Sequence, residues 1–151
     1  MPAGPLRESF ASALKRSDVV VRMDAAARMN AGAMDVQVWN AKTSITIPEL
    51  PSKKVIGFAG IAYPKLFERD LMNAGLDVVQ FHAFADHHAY QPRELETLIA
   101  STKEHGATLV TTAKDWVRLD SNMQEKVVAI RQSFTLEEAD KIAEIMQQLI
   151  P

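Results

Sequence analysis

The chain has 151 residues, of which 47% are hydrophobic, and this is sufficient for one domain with a buried core. The formal net charge of −2 argues against a nucleic-acid partner, because proteins that neutralise a phosphate backbone carry a clustered basic excess. The absence of cysteine excludes disulfides and thiolate metal sites and is compatible with a reducing cytosol. No apolar run approaches the ~20 residues of a membrane span, and charged residues at 7, 8, 15 and 16 interrupt any signal-peptide core.

The first third of the chain contains few elements and is typical of the end of one domain followed by a connection. A helix is predicted over residues 6–15, and the apolar run 19–21 predicts a buried strand. Two alternating apolar segments, 36–38 and 45–47, lie on either side of residues 40–43. This arrangement predicts a two-stranded hairpin.

From residue 53 onward, strand patterns alternate with helix patterns. Strands are predicted over residues 55–59, 76–81, 108–111 and 127–130. Helices are predicted over residues 64–73, 92–105, 114–119 and, from a capping box formed by Thr135 and Glu138, over the C-terminal segment. Gly75 and Gly106 are expected to end the first two helices. The alternation predicts an α/β fold with a mostly parallel sheet and helices on both faces.

The segment Phe-Ala-Asp-His-His-Ala-Tyr at residues 84–90 places titratable groups directly after a predicted strand. Open α/β sheets carry their sites at the carboxyl ends of strands, so we predict a site at Asp86, His87 and His88. From the residues alone, this segment could bind metal, supply a base or only bond to backbone groups. His82 and His105 are interpreted as structural.

A glycine-rich phosphate-binding loop is missing from the chain. The six glycines are scattered, and none stands in a G-x-x-x-x-G-K-[ST] or G-x-G-x-x-G frame. We therefore expect no conventional triphosphate cradle within these residues.

Four motifs occur in a fixed order. They are Pro-Ala-Gly-Pro-Leu-Arg-Glu at 2–8, Ala-Gly-Ile at 59–61, the segment at 84–90, and Gly-Ala-Thr-Leu-Val-Thr-Thr-Ala-Lys-Asp-Trp-Val-Arg-Leu at 106–119. This succession resembles the C-terminal half of the tetraacyldisaccharide 4'-kinase family, the lipid A kinases of Gram-negative bacteria. The resemblance covers nearly the whole chain. The chain departs from the family pattern at 62–63, where the family has Gly-Arg, at Ala85, where it has Pro, and at Ala113, where it has Glu.

The resemblance implies a P-loop kinase of two α/β domains joined by a two-stranded linker. Residues 1–34 would be the last piece of the N-terminal domain, 35–52 the linker, and 53–151 the C-terminal α/β domain. The family's Walker A loop, magnesium-binding acidic motif and catalytic aspartate precede the first motif and are absent from this chain. We therefore expect the chain to be a truncation or an internal start, and to be inactive alone.

The activity implied is transfer of the γ-phosphoryl group of ATP, with Mg²⁺, to the 4'-hydroxyl of a tetraacylated glucosamine disaccharide in lipid A and lipopolysaccharide biosynthesis. The resemblance places this reaction at the cytoplasmic face of the inner membrane, with the protein cytoplasmic and peripheral to that membrane.

The resemblance also implies roles for site residues. His87 would face the missing catalytic aspartate, Asp86 would fix the loop, and Arg7 would lie near the nucleotide. None of the site residues is expected to bind metal. Three further residues could line the cleft: His88, Lys114 and Asp115.

Two alternatives stay open. The chain could be a non-catalytic binding or regulatory α/β module. Asp-His-His also marks a class of metal-dependent phosphoesterases, although the early Asp-x-Asp motif of that class is missing here.

Overall fold

The computed structural model describes residues 8–23, 36–137, 142, 143 and 147. The chain divides into two compact units, Met1–Thr43 with Phe134–Pro151, and Ser44–Ser133. It passes between them twice, within strand β2 (Gln37–Thr46) and within strand β6 (Val128–Leu136). The predicted domain boundaries concern a longer kinase and stay a prediction.

The unit Ser44–Ser133 is built on a parallel sheet. Its other strands are β3 (Lys54–Ala59), β4 (Asp77–Ala83) and β5 (Thr108–Thr112). β3 pairs with β4 on one side and with β5 on the other, and β5 pairs with β6, all in parallel. The carboxyl ends of these strands therefore share one edge of the sheet.

Helices cover both faces of this sheet, as the alternation predicted. Along β3, Val55 and Ala59 pack in a cluster with Phe67 and Leu71 of helix α2 (Pro64–Asn73). The intervening residues face the other way: Ile56 and Phe58 pack in a second cluster with Leu95 and Leu98 of helix α3 (Pro92–His105). Successive side chains of a strand point to opposite faces of the sheet, which explains why neighbouring residues of β3 pack in different clusters. The predicted α/β fold class is confirmed.

Both long helices start and end at the predicted residues. Each has proline in its first turn, where a missing N–H costs nothing. Gly75 (φ 83°) and Gly106 (φ 59°) follow the two helices in the left-handed conformation. Glycine adopts this conformation without a Cβ clash, which is why it stops helices.

The segment after β5 differs from its prediction. Instead of one helix over 114–119, the chain forms α4 (Ala113–Trp116) and α5 (Ser121–Gln124). Thr112 caps α4, and Asp120 caps α5 by accepting a hydrogen bond from the Met123 N–H. Helix α4 has ended at Trp116, and the side-chain cap at Asp120 starts a separate helix at Ser121.

In the other unit, two predictions are wrong. Helix α1 (Phe10–Leu14), capped by Ser9, leads into the predicted strand β1 (Val19–Met23), but Val21 is 46% exposed and no residue of β1 is buried. The predicted hairpin is one continuous strand, β2, whose residues 37–41 pair in parallel with β1. Residues 40–43 contain no glycine or proline that would favour a two-residue turn, so the chain stays extended.

The predicted N-cap Thr135 is also wrong, because it lies within β6. The strand continues past Ile130, and Ser133 bonds to Ser44 through their hydroxyls at 2.9 Å. A cap requires the backbone beyond it to turn into a helix, and here it stays extended to Leu136. Glu138 lies outside the described residues, whereas 142, 143 and 147 are helical.

Candidate functional site

Loops that follow β3, β4 and β5 surround a cleft of about 440 Å³ at the carboxyl edge of the sheet. The cleft lies within the unit Ser44–Ser133. Its lining comprises Gly60, Ile61, Ala62, Asp86, His87, Lys114, Asp115, Val117 and Arg118. Four of the predicted site residues, namely Asp86, His87, Lys114 and Asp115, are therefore brought together.

His87 presents its imidazole to solvent at this cleft. Its side chain is 88% exposed, and its Nε2 lies 3.9 Å from Asp86 Oδ1. The backbone of His87 is left-handed (φ 59°), and it is the one non-glycine residue with positive φ in the part of the chain described. Its N–H donates to the Gly60 carbonyl at 3.0 Å. Positive φ is uncommon for residues with a Cβ and directs attention to function.

His88 points away from the cleft and has a structural environment. Its ring stacks on Phe84 with centroids 4.7 Å apart, and its Nε2 lies 2.8 Å from Glu94 Oε2. The same Glu94 oxygen accepts from the Gln91 N–H at 2.8 Å. That backbone bond and, next, the bond to His88 hold the pKa of the Glu94 carboxyl below its usual value. His88 thus ties the loop to the start of α3.

Asp115 is completely buried beneath the cleft. Its Oδ2 accepts from the Gly60 N–H at 3.1 Å and from the Thr112 hydroxyl at 2.8 Å. Its Oδ1 lies 3.2 Å from Arg118 Nη1. A buried carboxylate requires such donors, because an unpaired charge is costly away from water. The neighbouring Lys114 is exposed at the rim.

Tyr90, Gly60 and Arg118 complete the site and were not predicted as site residues. Burial, followed by the nearby charge of Asp115, raises the pKa of the Tyr90 phenol. The Tyr90 hydroxyl is buried without a well-formed hydrogen bond, and the Arg118 guanidinium lies 5.8 Å from the centroid of its ring. All three residues stand inside the motifs at 59–61, 84–90 and 106–119, which was the one signal that could have identified them.

The remaining predicted residues lie elsewhere. Arg7 lies outside the described residues, so its position near a nucleotide stays a prediction. His82 is 3.3 Å from Gln80 Oε1 within β4, and His105 Nδ1 is 2.9 Å from the Ser101 carbonyl in α3. Both contacts agree with the structural interpretation of these histidines.

Within the described ranges, no three His, Cys, Asp or Glu side chains converge as metal ligands. No helix in the same ranges is long and apolar enough to cross a membrane.

Comparison with known proteins identifies the family. The model of the tetraacyldisaccharide-1-P 4'-kinase family matches residues 1–151. The tetraacyldisaccharide 4'-kinase of Maricaulis maris is 38% identical over 136 residues, which cover 85% of this chain and 40% of that protein. The corresponding kinase of Gluconobacter oxydans is 36% identical, over 86% of this chain and 41% of its own length. This chain therefore spans about 40% of the length of the curated relatives it matches.

A solved structure agrees in fold. The crystal structure of LpxK from Aquifex aeolicus in complex with ATP matches with a TM-score of 0.64 and 23% identity, covering all of this chain and 48% of that one. Since the family model extends over every residue, this chain belongs to the tetraacyldisaccharide-1-P 4'-kinase family.

Proposed function

We propose that this chain forms the C-terminal part of a lipid A 4'-kinase. The complete protein would transfer the γ-phosphoryl group of ATP to the 4'-hydroxyl of a tetraacylated glucosamine disaccharide. The observation that carries the proposal is the cleft at the carboxyl edge, where His87 presents a solvent-facing imidazole beside Asp86 and Lys114. The family match supplies the reaction.

Phosphoryl transfer has a loose transition state, so positioning and electrostatic stabilisation contribute more than a strong base does. We propose that His87 orients the catalytic aspartate of the missing N-terminal part, or shares the proton released by the 4'-hydroxyl. Imidazole is suited to this role because one ring nitrogen can accept a proton while the other donates a hydrogen bond. Lys114, exposed at the rim, would offer its ammonium group to phosphate oxygens.

The described residues do not fit a protein-bound Mg²⁺. No three acidic or histidine side chains converge among them, and Asp115 already accepts from Gly60, Thr112 and Arg118. ATP and Mg²⁺ would be held mainly by the part of the kinase upstream of this chain, and Arg7 would approach the nucleotide from that side.

The lipid substrate has a further consequence. A tetraacylated disaccharide resides in a membrane, so we propose that the complete kinase acts as a cytoplasmic protein peripheral to the inner membrane of a Gram-negative bacterium. The support for this location is the substrate named in the family description.

A fusion experiment tests the proposal. The upstream part of the Maricaulis maris kinase, which lies outside the matched region, would be joined to this chain. Transfer of labelled phosphate from ATP to the disaccharide lipid would then be measured. We expect activity from the fusion and none from the chain alone. A folded fusion without activity would contradict the proposal and favour the non-catalytic module.

Removing the imidazole should affect turnover in this fusion. His87→Ala and His87→Asn should each lower kcat about 100-fold, in the range of general acid–base contributions. Asparagine tolerates positive φ, so it separates loss of the ring from strain in the backbone. His105→Asn is the matched control and should retain activity. Near-normal turnover in both His87 variants would exclude a catalytic role for that residue.

A further inference from the structure

Asp115 is the one buried charged side chain among the described residues, and it contacts the His87 loop by two routes. The first route passes through Gly60. The Gly60 N–H donates to Asp115 Oδ2 at 3.1 Å, and the Gly60 carbonyl accepts from the His87 N–H at 3.0 Å. One peptide group on either side of Gly60 thus links the buried carboxylate to the backbone of His87.

The second route passes through Arg118. Its Nη1 donates to Asp115 Oδ1 at 3.2 Å, and its Nη2 donates to the His88 carbonyl. A single guanidinium can hold both groups because its donors lie in one rigid plane. The two oxygens of Asp115 therefore support opposite ends of the dipeptide 87–88. Through Gly60, Oδ2 supports the His87 N–H, and through Arg118, Oδ1 supports the His88 carbonyl.

The dipeptide requires such support. His87 has a left-handed backbone (φ 59°), which persists only when the surrounding structure holds it. Its side chain makes few contacts of its own, since 88% of it is exposed. The place from which the imidazole enters the cleft therefore depends on the backbone, and the backbone is held by Gly60 and Arg118.

We infer that Asp115 is a positioning residue that fixes His87 at the cleft through Gly60 and Arg118. The contribution of Asp115 to catalysis rests on the proposed kinase function, whereas its effect on the conformation of the His87 loop does not. Asp115 lies at the floor of the cleft, but its side chain is completely buried and both of its oxygens already accept hydrogen bonds from the protein. The other carboxylate near His87, Asp86, is exposed to solvent, whereas Asp115 is buried.

Amide hydrogen exchange of the full 151-residue chain tests the two routes. Exchange at His87 should be about tenfold faster in Asp115→Asn and in Arg118→Gln, and faster still in Asp115→Ala. The Leu98 amide in α3 and the Val110 amide in β5 should change less than about twofold, because the effect is local. Arg131→Gln removes an exposed arginine and should change none of these rates.

The results have distinct meanings. A His87 rate unchanged in Asp115→Asn and Arg118→Gln would overturn the inference. A uniform increase at all three amides would overturn it too, because that indicates general destabilisation. If Asp115→Ala does not fold, the two milder variants decide.

The active fusion adds a kinetic test. Asp115→Asn should lower kcat about tenfold with KM for ATP nearly constant, but it should have little effect when His87 is already asparagine, because coupled residues are non-additive. An equal loss in both backgrounds would contradict action through His87. A fusion with no activity would reject the kinase proposal and leave the exchange result standing.

Discussion

The two ends of the parallel sheet in Ser44–Ser133 use glycine for different reasons. At the carboxyl edge, Gly60 is enclosed, and an added Cβ would lie 2.8 Å from the Tyr90 hydroxyl oxygen and 3.1 Å from the Ala85 carbonyl. At the opposite edge, Gly75 and Gly106 have positive φ, and an added Cβ would meet nothing within 4 Å. One end requires glycine for space, and the other requires it for backbone conformation.

This difference reflects how the loops are held. Turns at Gly75 and Gly106 are stabilised by bonds to the helix that has just ended, such as Ala107 N–H to the Thr102 carbonyl. Loops at the carboxyl edge are stabilised by one another, as Gly60 is by Asp115, which lies far away in sequence. The edge that carries the cleft is therefore the edge whose loops depend on mutual contacts.

The largest effect that would test this contrast is expected from Asp115→Ala. Loss of the buried carboxylate leaves Gly60, Thr112 and Arg118 without their acceptor, and should lower the free energy of unfolding by about 3 kcal/mol. Asp120→Ala is the matched control, because Asp120 is an exposed helix cap and should cost about 1 kcal/mol. Urea denaturation measures both, and equal losses would remove the distinction between the buried network and a local cap.

Gly60→Ala should destabilise the protein by about 2 kcal/mol, because the new methyl group overlaps the Tyr90 hydroxyl. Tyr90→Phe removes that oxygen and should itself be nearly neutral, since the hydroxyl makes no well-formed hydrogen bond. The double variant should therefore recover part of the stability lost in Gly60→Ala. The Ala85 carbonyl limits this recovery. If thermal denaturation shows that the double variant is no more stable than Gly60→Ala, crowding by Tyr90 is not the cause of the lost stability.

Gly106→Ala should cost about 1 kcal/mol through backbone strain alone. Gly106→Asn should cost less, because asparagine tolerates the left-handed region. Adding Tyr90→Phe to Gly106→Ala should recover nothing, in contrast to Gly60. Recovery there would show that the two edges are coupled, and the comparison would fail.

The smallest effect at neutral pH concerns Tyr90. Its folded-state pKa is raised above the unfolded value of about 10 by burial and the Asp115 charge, so its stabilising contribution is complete below about pH 10. That contribution is lost as pH rises further. In Tyr63→Phe, Tyr90 is the one tyrosine left, and its absorbance can be followed alone. We expect tyrosinate to form at higher pH in the folded chain than in urea. Coincident curves would contradict the burial of this phenol.

The sequence predicted those features whose causes are local. Pro64, Pro92, Gly75 and Gly106 set the limits of α2 and α3 through their own backbone preferences, and both helices are confirmed. The alternation of strand and helix patterns from residue 53 onward correctly predicted helices on both faces of the sheet. The motif at 84–90 identified the edge that carries the cleft.

The predictions that failed in β2 and β6 concern segments that stay extended where a turn or a helix was expected. The segment 37–46 reads as a hairpin, yet it is one strand because β1 pairs along its first half. Thr135 reads as a helix cap, yet it continues β6. At the site, nothing in the spacing of residues could reveal that Asp115 is enclosed by Gly60 and Arg118, since their contacts arise only when the strands are side by side.

Under the proposed function, the left-handed backbone at His87 places thermal stability and catalytic activity in opposition at that position. Glycine adopts φ near 59° more easily than histidine does, so His87→Gly should leave the fold intact and raise its melting temperature slightly. A laboratory selection for heat resistance alone would therefore tend to discard the imidazole, whereas a selection for growth would retain it.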